Sequence, residues 1–274
     1  MKKVLLFLFA VISFVILTSA NASVTDCDPE TVTVSNAVSS IVVESLGARI
    51  ISWRRHGCEM LWMPKRKVVK GWVHGGAPVC WPRHGRRELP DSPIHGVAWK
   101  TRFKVLSVQI GNEVSSIELG CRYGDLSLVY RIVLDDALRF EMRTENRGTE
   151  PTKVVSALHP YFRIGDISKV SVNDITFDGP FDKGFPCSIG DEYRMDDRLM
   201  GRKLVVCADE AKRFVVWTPW TKLESGIENG IIPLLDIGEY RSFLCVEPVS
   251  DSWESVDFLS PGDIHVFRAS FRVE

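Results

Sequence analysis

What most limits the fold of this chain is a hydrophobic period of two residues that sets in at Ser39 and runs to the C-terminal end. The segments 39–44, 49–53, 104–110, 114–119, 126–134 and 138–144 are rich in Val, Ile, Leu, Phe and Tyr. Turn chemistry bounds them at Gly47, Gly111-Asn112, Gly124-Asp125, Asp135-Asp136 and Asn146-Arg147-Gly148. Further segments of the same kind are 153–158, 169–172, 203–207, 213–217, 242–246 and 264–273. Side chains of a strand alternate between its faces, so this period predicts half-buried strands. No stretch holds an amphipathic helical pattern over three turns. Many short strands at regular spacing predict an all-β sandwich. No linker or composition break follows residue 30, so one domain over 30–274 is expected.

Composition supports a packed core: 45% of residues are hydrophobic and 25% charged, which excludes disorder, collagen-like repeats and a coiled coil. Lys and Arg number 34 against 35 Asp and Glu, a net charge of -1, so no global electrostatic footprint for nucleic acid exists. At the N-terminus, Lys2 and Lys3 precede an apolar run over 4–17 and the small-residue site Ala20-Asn21-Ala22. This order predicts a secretory signal peptide over 1–22, too short in its apolar part for a spanning helix. The expected mature protein begins at Ser23 and is exported, periplasmic or extracellular, with no stable membrane insertion. The chain has seven cysteines, an odd number, which predicts at least one unpaired thiol. No CxxC pair and no Cys/His run has zinc-finger spacing, so no structural metal is expected.

Function is expected in three intervals rich in Gly, Pro and polar residues, 62–102, 160–201 and 219–241, because loops on a rigid sandwich usually carry it. The first holds Gly75-Gly76-Ala77-Pro78-Val79-Cys80-Trp81-Pro82-Arg83-His84-Gly85 and Ile94-His95-Gly96-Val97-Ala98-Trp99. The second opens with Leu158-His159-Pro160-Tyr161-Phe162-Arg163 and ends near Asp197-Arg198. Val215-Val216-Trp217-Thr218-Pro219-Trp220 leads into the third, and Cys245-Val246-Glu247 leads out of it. Aromatic rings beside His and Glu at strand ends suit a sugar, whose C–H faces pack on rings while its hydroxyls take hydrogen bonds. Each residue also has an ordinary structural reading. His159 alone is compatible with a packed core histidine, Glu247 with a buried salt bridge, Asp197 and His95-Gly96 with turns, and Trp217 and Trp220 with core packing. By the same logic the runs 65–70 and 83–87 read as solvated faces.

Taken in order, these segments resemble the aldose 1-epimerase (galactose mutarotase-like) superfamily, and within it the glucose-6-phosphate 1-epimerase, or hexose-6-phosphate mutarotase, branch. The matching patterns are GG-x-P-x-x-WP-x-x-G over 75–85, HG-x-A over 95–98, LH-x-YF-R with G-D-I over 158–167, Asp197-Arg198, VVW-x-PW over 215–220 and CVE over 245–247. The resemblance implies a β-supersandwich and a hexose mutarotase that interconverts α and β anomers without metal or nucleotide cofactor. It implies His159 as general acid and Glu247 as general base, Asp197 orienting the sugar or the histidine, and His95 lining the site. His74, Arg83, Trp99 and Trp217 complete the expected substrate pocket. The expected partner is a small-molecule sugar or sugar phosphate; the oligomeric state is open, and a monomer is compatible with the sequence.

This chain departs from the branch at the residues that would grip a phosphate. The branch carries Arg immediately before the GG loop and Arg after HG-x-A, where this chain has His74 and Trp99. Its WP-W-F-G aromatic pair is here Arg83-His84. Positive charge nearby is plentiful, from Lys65, Arg66, Lys67, Lys70, Arg83, Arg86, Arg87, Lys100 and Arg102. Either these residues rebuild an anion site, or the substrate is an unphosphorylated or acidic sugar. A catalytically silent carbohydrate-binding protein on the same scaffold is the alternative reading.

Overall fold

Alternation in the sequence becomes antiparallel pairing in the computed structural model, which describes residues 29–65, 74–85, 93–223, 236 and 238–274. The expected signal peptide, together with Arg66, Lys67, Lys70, Arg86 and Arg87, lies outside the described residues. The strand Leu126–Leu134 shows the logic. Leu126, Leu128, Tyr130, Ile132 and Leu134 are buried, while the residues between them are half-buried or exposed. It pairs along its whole length with Ser115–Tyr123 on one side and Leu138–Asn146 on the other. These strands belong to a nine-stranded sheet that continues through Ile264–Val273, Arg202–Cys207, Glu192–Asp197, Val170–Val172 and Ile175–Thr176, with Lys104–Gln109 at the opposite edge.

A second sheet carries the site. Its order is Phe181–Pro186, Arg213–Thr218, Phe243–Val249, Ala157–Leu158 and Val79–Cys80, and Tyr161–Arg163 also pairs with Phe243–Val249. The central strand Phe243–Val249 is buried at every position. Burial on both faces explains why it reads as a continuous apolar run rather than an alternating one. A four-stranded sheet begins with Thr31–Ser35 and Ser39–Glu44 and continues through Ile50–Arg55 and Cys58–Glu59, and a small two-stranded ladder joins Thr152–Lys153 to Phe258–Leu259.

Aromatic rings tie the sheets together. Phe271 lies 4.7 Å from Phe140, 5.1 Å from Phe162 and 6.3 Å from Trp53, ring centre to ring centre. Phe140 and Phe271 come from the nine-stranded sheet, Phe162 from the sheet of the site, and Trp53 from the four-stranded sheet. All four are essentially buried, and truncating a ring of this kind to Ala typically costs about 3–5 kcal/mol. This contact fixes the sheet of the site against the rest of the core.

Several expectations change. The segment 153–158 is not one strand: its two ends pair with different partners, 258–259 on one side and 79–80 with 249 on the other. The interval 160–201 is not mainly loop, because it holds the strands 161–163, 170–172, 175–176, 181–186 and 192–197. Gly184 and Pro186 hid the strand Phe181–Pro186, which among the described residues is an edge strand pairing only with Arg213–Thr218, where a missing N–H is tolerated. Among the described residues no helix is long and apolar enough to cross a membrane.

Candidate active site

Strand alternation aims the chemistry at one face. Along Phe243–Val249, Cys245 and Glu247 point to the same side. Trp217 stands opposite Cys245 in the ladder, and Val215 opposite Glu247. His159 follows the short strand Ala157–Leu158, and its backbone N–H donates to Pro78 O at 3.0 Å. The chain re-enters the sheet at Tyr161, so His159 is held between two paired segments.

Two glycines bring the remaining loops close. At Gly76, with φ +71°, a Cβ would stand 2.3 Å from the Ile50 carbonyl oxygen. At Gly96, with φ +78°, a Cβ would stand 2.3 Å from the Trp81 carbonyl oxygen. Both positions demand a residue without a side chain. The GG and HG patterns are thus requirements of backbone approach. Next to Gly96, His95 is itself in the left-handed region at φ +58°. Its N–H donates to Gly85 O at 3.1 Å, and its Nδ1 accepts from Gly85 N at 3.3 Å.

Glu247 is the centre of the arrangement. Its Oε1 lies 3.3 Å from His159 Nε2, and its Oε2 accepts from His84 Nε2–H at 2.7 Å. Glu247 is 2% exposed and His159 4%. Such a carboxylate is tolerable inside a protein only with partners of this kind. The His95 ring lies 5.1 Å from those of both His84 and His159. Trp217 presents an edge contact to His159 at 5.7 Å, and Tyr161 stacks on His159 at 4.9 Å. The Tyr161 hydroxyl is hydrogen-bonded to His74 Nδ1 at 2.9 Å, and the His74 ring stacks on Trp217 at 6.5 Å.

Electrostatics follow from burial. Desolvation, reinforced by the nearby His159, lowers the His74 pKa to about 3. His95 is held well below the ordinary imidazole value, by burial first and then by His159, His84 and His74. Burial also lowers His159, but the Glu247 carboxylate opposes that shift, and the Asp182 charge acts in the same sense as Glu247. The thiols of Cys80 and Cys245 are pushed up by burial and by Glu247. Cys80, His84 and His95 bring their donor atoms within 4.8 Å of one another, as do His159, Cys245 and Glu247.

The expected site residues therefore divide. His159, Glu247, His95, His74 and Trp217 come together. Trp99 does not face the cluster through its polar atom; its Nε1–H donates to Gly96 O at 3.0 Å and braces the turn that presents His95. Arg83 is 2% exposed, with its guanidinium 5.0 Å from the centre of the Trp253 ring, so the solvated-face reading fails for Arg83. Asp197 has partners of another kind. It is fully buried, and its carboxylate accepts from the backbone N–H groups of Gly165 (2.9 Å), Leu199 (3.2 Å) and Met200 (3.1 Å). Those bonds tie the end of the strand Glu192–Asp197 to a neighbouring loop. His84 is the residue that sequence reasoning passed over. Its one signal was an imidazole where the related branch has an aromatic ring.

Strand sheets packed through an aromatic core thus hold a histidine and a carboxylate paired in one sheet. Residues 30–188 match the family model "Aldose 1-epimerase", and the chain belongs to that family of isomerases. An Escherichia coli (strain K12) relative named "Putative glucose-6-phosphate 1-epimerase" is 28% identical over 238 residues, covering 73% of this chain and 76% of the relative. The fold is shared with the crystal structure of "a putative mutarotase" from Salmonella typhimurium, at TM-score 0.74 and 21% identity over 89% of this chain and 90% of that one. It is shared too with a galactose mutarotase-like protein from Clostridium acetobutylicum, at TM-score 0.67 and 12% identity over 89% and 95% of the two chains.

Proposed function

We propose that this protein interconverts the α and β anomers of an unphosphorylated aldose, with Glu247 as general base and His159 as general acid. The observation that carries the reading is the buried 3.3 Å approach of His159 Nε2 to Glu247 Oε1 beside the Trp217 ring. Glu247 takes the proton of the C1 hydroxyl while protonated His159 delivers one to the ring oxygen. The C1–O5 bond breaks and leaves an aldehyde at C1 and a hydroxyl at C5. Rotation about C1–C2 then presents the other carbonyl face. The C5 hydroxyl closes on C1, its proton returns to His159, and the carbonyl oxygen takes back the proton held by Glu247. Protons and bonds balance over the cycle, as an isomerisation requires. The Glu247 carboxylate favours the imidazolium against the cost of burial, which is what an acid in a dry site needs.

The nature of the pocket supports a neutral sugar. Where the phosphate-handling branch has Arg before the GG loop, His74 is buried and uncharged near pH 7. Two carboxylates, Glu247 and Asp182, act on His159. Such surroundings disfavour a dianion and suit hydroxyls packed against Trp217. Export, as the N-terminal segment predicts, places the enzyme where free sugars are met.

Anomer exchange measured by NMR with glucose, galactose and glucose 6-phosphate tests this reading. The protein is expected to accelerate exchange of a free sugar, and His159→Ala and Glu247→Gln each to lower the rate by about 10²–10⁴-fold. Unchanged rates in both variants would overturn the catalytic assignment, and acceleration confined to the phosphate would overturn the substrate.

A further inference from the structure

Six side chains with metal-binding atoms, one of them the Glu247 carboxylate, meet in one place. Cys80 lies on the strand Val79–Cys80, His84 and His95 on the loops that follow it, Cys245 and Glu247 on the strand Phe243–Val249 of the same sheet, and His159 between its strands Ala157–Leu158 and Tyr161–Arg163. Two groups of three are compact, with donor atoms within 4.8 Å of one another: Cys80 with His84 and His95, and His159 with Cys245 and Glu247. The 2.7 Å contact between His84 and Glu247 joins them. Nothing in isomerisation calls for two thiols and three imidazoles around one carboxylate, since one acid and one base suffice.

The groups differ in access. His159, Cys245 and Glu247 are all buried, whereas His84 and His95 are only partly so, which opens the first group to solvent on the histidine side. The charge balance favours a cation. A carboxylate that is 2% exposed sits between the His84 and His159 imidazoles, 2.7 and 3.3 Å away. A thiolate, two imidazoles and a carboxylate make the donor set of a soft, tetrahedral divalent ion rather than of calcium or magnesium. Bonds of about 2.0–2.3 Å in a tetrahedral zinc site put donors about 3.3–3.8 Å apart, so the first group has to contract by about an ångström.

We propose that Cys80, His84 and His95, with Glu247 as fourth ligand, bind one zinc ion or an ion of similar softness. On binding, the Cys80 thiol proton passes to solvent and the sulfur lone pair goes to the ion, while the His84 ring turns from the Glu247 carboxylate to the metal. Linear spacing showed no zinc signature because Glu247 is 167 positions from Cys80 in the chain and joins through the sheet.

The test is titration of the purified, reduced, metal-free protein with cobalt(II) and then zinc(II). One equivalent of cobalt is expected to give a thiolate-to-metal charge-transfer band in the near ultraviolet with tetrahedral visible bands, and zinc to displace it. Cys80→Ser should abolish the band, Cys245→Ser should retain it, and His84→Phe should weaken zinc binding at least tenfold, measured by competition with a chromophoric chelator. His84→Phe restores the ring type of the related branch, so it serves if Cys80→Ser does not fold. No thiolate band in the unmodified protein, or a band lost in Cys245→Ser but kept in Cys80→Ser, would overturn the site. Whether zinc also stops anomer exchange rests on the role of Glu247 as base. Binding without inhibition would refute that role and leave the metal site standing.

Discussion

Acidification should destabilise this protein through His74, by an amount the structure sets. In an unfolded chain the imidazole titrates near 6.5, whereas in the fold burial and the neighbouring His159 hold it at about 3. Below pH 6.5 the unfolded state therefore binds a proton that the folded state refuses. The contribution is fully present above 6.5, is lost as pH falls below that value, and levels off near 3. The slope is about 1.4 kcal/mol per pH unit, so going from pH 7 to pH 5 costs about 2 kcal/mol from this residue. His95 and His159 are lowered as well and act in the same direction. Urea unfolding followed by tryptophan fluorescence, with reductant present, reads the effect at the two pH values. A loss of about 2 kcal/mol corresponds to a midpoint shift of about 1 M urea. His74→Gln keeps a neutral hydrogen-bonding partner for the Tyr161 hydroxyl and removes the titration. The variant should lose about 2 kcal/mol less than the unmodified protein between pH 7 and 5. Carboxylates contribute to both proteins alike and cancel in that difference. Parallel pH dependences would refute the argument, because His74 would then titrate in the fold as it does in water.

Two substitutions separate support from chemistry. Asp197→Asn removes an acceptor from the cluster of Gly165, Leu199 and Met200 amides and should cost about 1–3 kcal/mol of stability while anomer exchange per folded molecule stays within about twofold. A large loss of turnover at unchanged stability would instead return Asp197 to the sugar. Gly96→Ala sets a Cβ 2.3 Å from the Trp81 carbonyl oxygen at a backbone angle of +78°. It should lower stability by about 1–3 kcal/mol and slow exchange by displacing His95, measured by thermal melting and NMR on the same sample. A variant with the original melting temperature and rate would show that the turn does not position the site.

The sheet architecture was legible because strand period and turn residues are local properties. Leu126, Leu128, Tyr130, Ile132 and Leu134 alternate in the sequence and are buried in the same alternation in the fold. The strand Phe181–Pro186 was not legible, since Gly184 and Pro186 carry a turn signal that only an edge position overrides. The site divides in the same way. His159 and Glu247 stood out through their surroundings, an LH-x-YF-R segment and an apolar CVE strand.

His84 and Asp197 changed meaning because nothing local records which atoms their side chains meet. The carboxylate of Asp197 is spent on three amides beside it, and His84 finds Glu247 only because the sheet brings residues 163 positions apart to 2.7 Å. By itself, then, the chain dictated strands, their faces and the loops rich in chemistry, since these follow from side-chain period and backbone freedom. Tertiary structure alone decided the partners of each buried polar group, since a charge taken out of water is stabilised by whatever the folded chain places within hydrogen-bonding distance of it.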